Sequence, residues 1–365
     1  MNLSTSDSDS VQSANAQNLS TQKPSCPICA AKADSAFQVT LTGPDTEYVP
    51  AADNPFAELQ FHGCRYCGFA WGLPYVDAES LARFYEAVYY QKVKHRSSDQ
   101  YSKFNGFFPL DPRSASQVLL ARMFKAFREG ESFLDIGAGS GRSFRALSQL
   151  IPGLKYFAFE PDGDLSSLLQ RYLGVHVFAH QFPSEPTASS IVEGRRFDLV
   201  LMSHVLEHFN GRDVSAVLKN VRDLVSEDGI FVCEVPYCDW REHEEVIGHD
   251  PAHLSLFSRE SLRLALVEAG FEVKFLNTCG EQFESWLSGV KKQESPEASK
   301  KRRAGSSVKA LGKSIYHSIP IALPGRMVEH LYSLISPNQS ADLLLSDDFS
   351  YGGDRTCLRA LATVA

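Results

Sequence analysis

The sequence predicts an α/β chain in which a parallel sheet is covered by helices and preceded by a small cysteine-bound metal module. Three observations predict it. Short apolar runs alternate with helical patterns from residue 131 onward, a glycine-rich turn follows the first of those runs, and two Cys-x-x-Cys pairs lie ahead of them.

Composition sets the outer limits. A chain of 365 residues has room for two to three domains of about 150 residues each. Its hydrophobic fraction of 43% and aromatic fraction of 11% suit a globular protein with a sizeable core. The net charge of −8 argues against a broad phosphate-backbone interface, so no nucleic-acid partner is expected. Residues 1–25 lack the apolar core of a signal peptide, and no run reaches the roughly 18–20 apolar residues of a membrane span. The expected compartment is the reducing cytoplasm, where paired cysteines hold metal more often than they form disulfides.

Taken in order, residues 1–23 are polar and of low complexity, and read as a disordered tail. Residues 24–80 read as a zinc-ribbon-like module with strand-like runs at 37–41, 58–62 and 69–71. A Cys-x-x-Cys turn brings two thiolates within reach of one ion, and Cys26, Cys29, Cys64 and Cys67 together make a closed structural zinc site. Two departures stand out: residues 30–63 make a longer gap than the usual ribbon's, and Ala30 stands where the second knuckle has Gly68. Residues 81–130 form a helical linker. Leu81, Phe84, Tyr85, Val88 and Tyr89 follow a helical period, and 118–127 is a second helical stretch.

The core is expected over 131–280 plus 350–365. Candidate strands are 132–137, 156–160, 175–179, 198–203, 230–235, 271–276 and 356–364, with helices at 142–150, 165–172, 213–225 and 259–269. Gly229 and Gly270 are read as left-handed C-terminal residues of two helices, and Ser258 as the cap of the last. Between the two parts of the core, 281–349 is a basic and helical insertion. Its charges (Lys291, Lys292, Lys300, Lys301, Arg302, Arg303) and the amphipathic segments 308–315 and 327–335 suit electrostatic contact with an anionic acceptor, or peripheral membrane contact through 291–335.

The chemistry centres on Phe133-Leu-Asp-Ile-Gly-Ala-Gly-Ser-Gly141, a buried strand running into a glycine turn and then a helix. Glycine permits close backbone approach to a ligand and positive φ in a tight turn. The spacing Gly137, Gly139, Gly141 is not the dinucleotide fingerprint, whose third glycine would fall at Arg142. Asp135 beside the turn is ill suited to pyrophosphate but suits a ligand bearing ammonium and sulfonium charges. Glu160, ending the second strand, is placed to accept hydrogen bonds from both ribose hydroxyls. A further marker is Phe197-Asp through Leu206-Glu-His208.

With these motifs in order, residues 132–235 resemble the class I S-adenosylmethionine-dependent methyltransferases. The resemblance implies a Rossmann-like seven-stranded sheet whose last strand, here 356–364, is antiparallel. It implies cofactor contacts from Asp135, Gly137, Gly139, Gly141, Glu160, Asp162, Ser203 and His204. A double Cys-x-x-Cys followed by Leu-x-x-Phe-Tyr and this core is similar to bacterial zinc-ribbon methyltransferases. Members of that group act on sugars and other small metabolites.

Methyl transfer is an in-line displacement and needs a base only where the acceptor must lose a proton. The candidate catalytic residues are His253, His249 and Tyr237, with His204 and His208 nearby in sequence. The segment 249–257 suits a lid over the acceptor, while Pro251 disfavours a metal pair formed by His249 and His253 on one helix. The expected function is transfer from S-adenosylmethionine to a small-molecule or glycan-linked acceptor at oxygen or carbon. The alternatives are an RNA methyltransferase that holds RNA with its zinc module, and a non-catalytic scaffold.

Overall fold

Two sheets organise the residues described by a computed structural model: 25–31, 35–36, 55–56, 59–85, 112–178, 181–242, 252–279 and 357–365. The tail, the run at 37–41, Val88, Tyr89, His249 and the whole insertion 281–349 lie outside them.

The smaller sheet begins with three antiparallel strands, β1 (Ser35–Ala36), β2 (Gln60–Gly63) and β3 (Ala70–Leu73). Helix α1 (Ala78–Phe84) follows, its first turn capped by the Asp77 carboxylate, which accepts from the Ser80 amide. Beyond α2 (Pro112–Phe124) the larger sheet begins with β4 (Ser132–Ile136). Then come α3 (Arg142–Leu150), β5 (Lys155–Phe159), α4 (Gly163–Leu173) and β6 (His176–Phe178). The short α5 (Ala188–Ile191) leads to β7 (Phe197–Ser203), α6 (Val214–Leu224) and β8 (Val225–Pro236). The chain returns to the small sheet as β9 (Ser255–Leu256), then forms α7 (Arg259–Glu268), β10 (Phe271–Cys279) and β11 (Cys357–Val364).

The seven core strands run in the order β10-β11-β8-β7-β4-β5-β6. Strands β4 to β8 pair in parallel, whereas β11 is antiparallel to both β8 and β10. The expected seven-stranded architecture is therefore present. Alternation along the central strands splits the core between the two faces. Leu134, Ile136, Val200 and Met202 pack with Val217, Leu218 and Leu262, while Phe133, Leu199 and Leu201 pack with Phe144, Leu147 and Val118. With helices on both faces, the strands are apolar on both sides, which is why each reads as a continuous hydrophobic run.

Caps end several helices where the sequence suggests. Ser258 and Ser261 form a reciprocal capping box at the start of α7, and Gly270 follows it with φ +90°. Gly229 is a correction. It lies inside β8, is not among the positive-φ residues, and a Cβ there would stand 2.8 Å from the Phe197 carbonyl oxygen. Close backbone approach, not helix termination, requires glycine at this position.

The small sheet does not stand apart from the core. Its fourth strand is β9, whose residues Ser255 and Leu256 pair with Trp71 and Ala70 of β3. Phe69, Trp71 and the cysteines Cys26, Cys64 and Cys67 share one buried cluster with core residues such as Phe257 and Leu262. Asn210 holds the strap before α1 at both ends of one residue, accepting from the Val76 amide and donating to its carbonyl.

Candidate active site

The glycine turn at the end of β4 is held in shape by hydrogen bonds from its own backbone. Gly137 and Gly141 have φ of +78° and +76°, a conformation that side chains resist. A Cβ on Gly137 would run into the Val205 side chain, so the loop after β7 is packed directly against the turn. The turn also touches the end of β5: the Gly139 amide donates to Glu160 Oε2 at 2.7 Å, and the Asp162 amide donates to Oε1 at 2.9 Å. Asp135 lies behind the turn and accepts from the Ser143 hydroxyl. Asp162 has a structural task, capping α4 by accepting from the amides of Asp164 and Leu165.

Electrostatics sharpen this picture. Asp135 and Glu160 are both buried, and their partners are backbone amides and a hydroxyl rather than arginine or lysine. Burial pushes the Asp135 carboxyl up to about 7 against the lowering hydrogen bond from Ser143. Burial likewise pushes Glu160 up to about 7, partly offset by the amides of Asp162 and Gly139. Two buried acids with no side-chain cation bonded to them among the described residues make a cup suited to a positively charged ligand and hostile to a pyrophosphate.

Beside the cup, the end of β7 carries the polar residues. The Ser203 hydroxyl accepts from Gln117 of α2 at 2.9 Å. His204 is a non-glycine residue at φ +56°, a conformation that costs free energy and marks functional loops. Its Nδ1 lies 3.3 Å from Glu207 Oε1 and its Nε2 3.5 Å from Glu234 Oε1, with Cys357 Sγ at 3.6 Å. Burial opposes its charge, but the contacts with Cys357, Glu207 and Glu234 outweigh that and hold the ring well above the usual imidazole range.

The structure brings His253 to this neighbourhood. Its Nε2 is 3.9 Å from Glu207 Oε1, and its ring stands 5.0 Å from that of His208. Residues 252–257 are not a free lid: Leu254 donates its amide to the Glu207 carbonyl and accepts from Gly72, and the Ser255 hydroxyl bonds the Phe209 carbonyl. Ser258, not His253, caps the following helix. Tyr237 belongs to a different neighbourhood, a groove of about 480 Å³ that it lines with Arg241, Arg259 and Thr278. Its hydroxyl donates to Glu242 at 2.8 Å, and burial together with that carboxylate keeps the phenol protonated.

Sequence reading passed over Glu234, Arg359 and Arg113, which share this corner. Arg359 Nε bonds Glu234 Oε2 at 2.6 Å, and Arg113 Nε stands 3.5 Å from Oε1. For Glu234 and Arg359 the available signal was a charged residue inside an apolar run, 230–236 and 357–362; Arg113, in a helix, left none.

The cysteines converge as their spacing requires. Cys26 and Cys67 sulfurs are 3.7 Å apart, Cys29 and Cys64 sulfurs 3.5 Å, and all four lie within 4.8 Å of one another. Zinc–sulfur bonds of about 2.3 Å give tetrahedral edges of about 3.8 Å, so the donor set fits the ion. The two knuckles share one backbone pattern: Ala30 and Gly68 donate to the carbonyls of Cys26 and Cys64, and those cysteines donate to Ala31 and Phe69. Ala30 takes the left-handed conformation at φ +58°, matching Gly68 at +71°, so alanine fills the glycine position at a local cost. Gly68 has a second reason to be glycine, since a Cβ there would meet Arg241, Asp239 and Ser258 at 2.8 Å. Arg241 donates to the Arg65 and Tyr66 carbonyls, clamping the second knuckle to the core.

Residues 112–274 match the family described as "Methyltransferase domain", over the region that carries the cup, β7 and the histidine cluster. This part of the chain is a class I S-adenosylmethionine-dependent methyltransferase domain. Among curated proteins the chain is similar to 3'-hydroxy-N-methyl-(S)-coclaurine 4'-O-methyltransferase of Coptis japonica, at 23% identity over 148 residues. That stretch is 40% of this chain and 40% of the plant enzyme, so less than half of the relative's length is matched. Solved structures similar to it include a TehB-like methyltransferase of Corynebacterium glutamicum, at 16% identity with a TM-score of 0.34 over 51% of this chain and 87% of that one. Another is the 1,6-didemethyltoxoflavin-N1-methyltransferase of Burkholderia thailandensis, at 20% identity and TM-score 0.40 over 61% and 88%.

Proposed function

We propose that the protein transfers a methyl group from S-adenosylmethionine to a small-molecule or glycan-linked acceptor at oxygen or carbon. The observation that carries this reading is the pair of buried acids on the glycine turn, Asp135 and Glu160. When bound, the cofactor supplies a sulfonium methyl, which passes to the acceptor as sulfur takes back the bonding electrons. The chain's part is to hold and orient. Glu160 accepts the ribose hydroxyls, Gly137 and Gly139 let the ligand approach the backbone, and Asp135 complements positive charge through the turn. Ser203 and His204 line the neighbouring strand end. His253, with Glu207 and His208 beside it, is the candidate contact to the acceptor. The curated relative whose name specifies 4'-O-methylation is consistent with an oxygen acceptor. The four cysteines hold a structural zinc that folds the N-terminal module, leaving no open position for catalysis.

Calorimetric titration tests the reading. The protein should bind S-adenosylmethionine and not NAD, and Glu160→Ala should weaken that binding by about 1–3 kcal/mol, as for lost charged hydrogen bonds. Binding of NAD alone, or an unchanged affinity in the variant, would place the ribose site elsewhere.

The raised carboxyls also predict a pH dependence. A carboxyl with a folded pKa near 7 keeps a proton that the unfolded chain has released, so its ligand-free stability contribution falls as pH rises from about 4.5 to 7. Cofactor binding requires the ionised form and runs the other way. Affinity should rise by about fivefold per carboxylate between about pH 6 and 7, and by about tenfold in all by about pH 8, where it levels off. Titrations in buffers of different ionisation enthalpy should show proton release on binding near neutrality; a flat affinity with no proton release would count against the charged cup.

A further inference from the structure

The groups at the end of β7 share more than proximity. Glu207 is only 1% exposed, and among the described residues neither carboxylate oxygen makes a well-formed hydrogen bond; only imidazole rings stand near Oε1. His253 Nε2, at 3.9 Å from Oε1, is too far to be oriented by Glu207 through a direct hydrogen bond. His204 Nδ1 stands closer to the same oxygen, at 3.3 Å.

His208 is set up differently. Its Nδ1 stands 3.0 Å from the Ala252 carbonyl oxygen, which can only accept, so Nδ1 carries the proton. A neutral ring then has its lone pair on Nε2, the form in which histidine ligates a metal, with a backbone carbonyl fixing the tautomer from behind. The Glu207, His208 and His253 ligand atoms all lie within 4.8 Å of one another. The supporting backbone is held from both sides. Glu207 and His208 occupy a 3-10 turn over Leu206–His208, and Leu254 binds the Glu207 carbonyl while Ala252 accepts from His208.

We propose that Glu207, His208 and His253 form a divalent-cation site, whose remaining coordination positions take an oxygen of the methyl acceptor. Two imidazoles and a carboxylate suit manganese, iron or zinc better than calcium. A cation there would engage the buried Glu207 carboxylate directly, in place of the looser His204 contact at Oε1. The other three-residue grouping, His204, Glu234 and Cys357, is less apt because Arg359 and Arg113 already surround Glu234. The acceptor role rests on the methyltransferase reading above; the cation site itself does not.

The test uses the full-length protein after chelator dialysis, with residual zinc measured by mass spectrometry to account for the four-cysteine site. Manganese(II) is titrated in while the spectrum of the free ion is followed by electron paramagnetic resonance. The wild type should take up one ion per chain. Glu207→Gln and, separately, His253→Asn should weaken uptake by at least about tenfold, with zinc content unchanged. Titration of S-adenosylmethionine into the same samples reports independently on the cofactor site and on folding. Absence of manganese uptake by a wild type that binds S-adenosylmethionine would overturn the cation site alone, as would equal uptake by both variants. Uptake without cofactor binding would keep the site and reject the methyltransferase reading.

Discussion

Replacing Arg359 with methionine should destabilise the fold by about 3–5 kcal/mol, the usual result of stranding a buried charge. Arg359 sits in β11 directly opposite Glu234 of β8, with both side chains almost wholly buried, at 2% and 1% exposure. Besides its bond to Glu234, the guanidinium donates to the Ser116 hydroxyl of α2 at 2.8 Å, so it joins the antiparallel strand to the helix covering the sheet. Although burial disfavours a charged Glu234, Arg359 and His204 hold its carboxyl well below the usual carboxylate range. Methionine fills the space but leaves Glu234 with Arg113 at 3.5 Å and His204 at 3.5 Å as its nearest cations. Urea unfolding of the variant, of Glu234→Gln and of the double variant measures the coupling. The double variant should be more stable than Arg359→Met alone, because it removes the stranded charge. A loss below about 1 kcal/mol for Arg359→Met would show that the pair is not what holds β11 in the sheet.

The second large effect is expected at Cys64. Changing it to serine removes one of four thiolates, and zinc should be lost on purification. Structural zinc is worth about 10–16 kcal/mol to small zinc modules, so losing even part of that is a cost of several kcal/mol. The consequence should spread beyond the module. Strand β3 carries β9, and the segment leading into β9 contributes Ala252 and His253 to the histidine cluster. Ser258, which caps α7, donates its hydroxyl to the Cys67 carbonyl. The variant should therefore melt earlier as a whole and lose manganese uptake at Glu207 along with zinc. Cofactor affinity should change least in whatever fraction remains folded, because Asp135, Gly139 and Glu160 lie on the β4–β5 side. Metal analysis, thermal melting and cofactor titration on one preparation separate these outcomes. Full zinc retention, or an unchanged melting temperature, would remove zinc from the account.

Much of this was legible before any coordinates. Strands buried on both faces announce themselves as apolar runs, and glycines at positive φ announce turns, so β4, β5 and β7 emerged within a residue or two. Glu160 was legible because the end of a strand beside a glycine turn is a place defined by sequence order. Gly229 was misread because a glycine after a helical pattern looks the same whether it ends a helix or yields to a neighbouring carbonyl. The lid reading of 249–257 failed, for the described residues 252–257, for a related reason. Two residues of β pairing leave almost no periodic trace.

The residues alone were enough for the α/β class, the alternation of strands and helices around the glycine turn, the two acids Asp135 and Glu160, and the four metal-spaced cysteines. These are local facts, set by side-chain period, backbone freedom and short ligand spacing. Tertiary structure alone decided which distant residues meet. It put Arg359 opposite Glu234, made β9 a strand of the cysteine module's sheet, and gathered Glu207, His208 and His253 within ligand distance while sending Tyr237 elsewhere. The reason is physical: a buried charge or a lone-pair donor reveals its role only through its partner, and pairing across 44 or 125 residues is set by packing of the whole core.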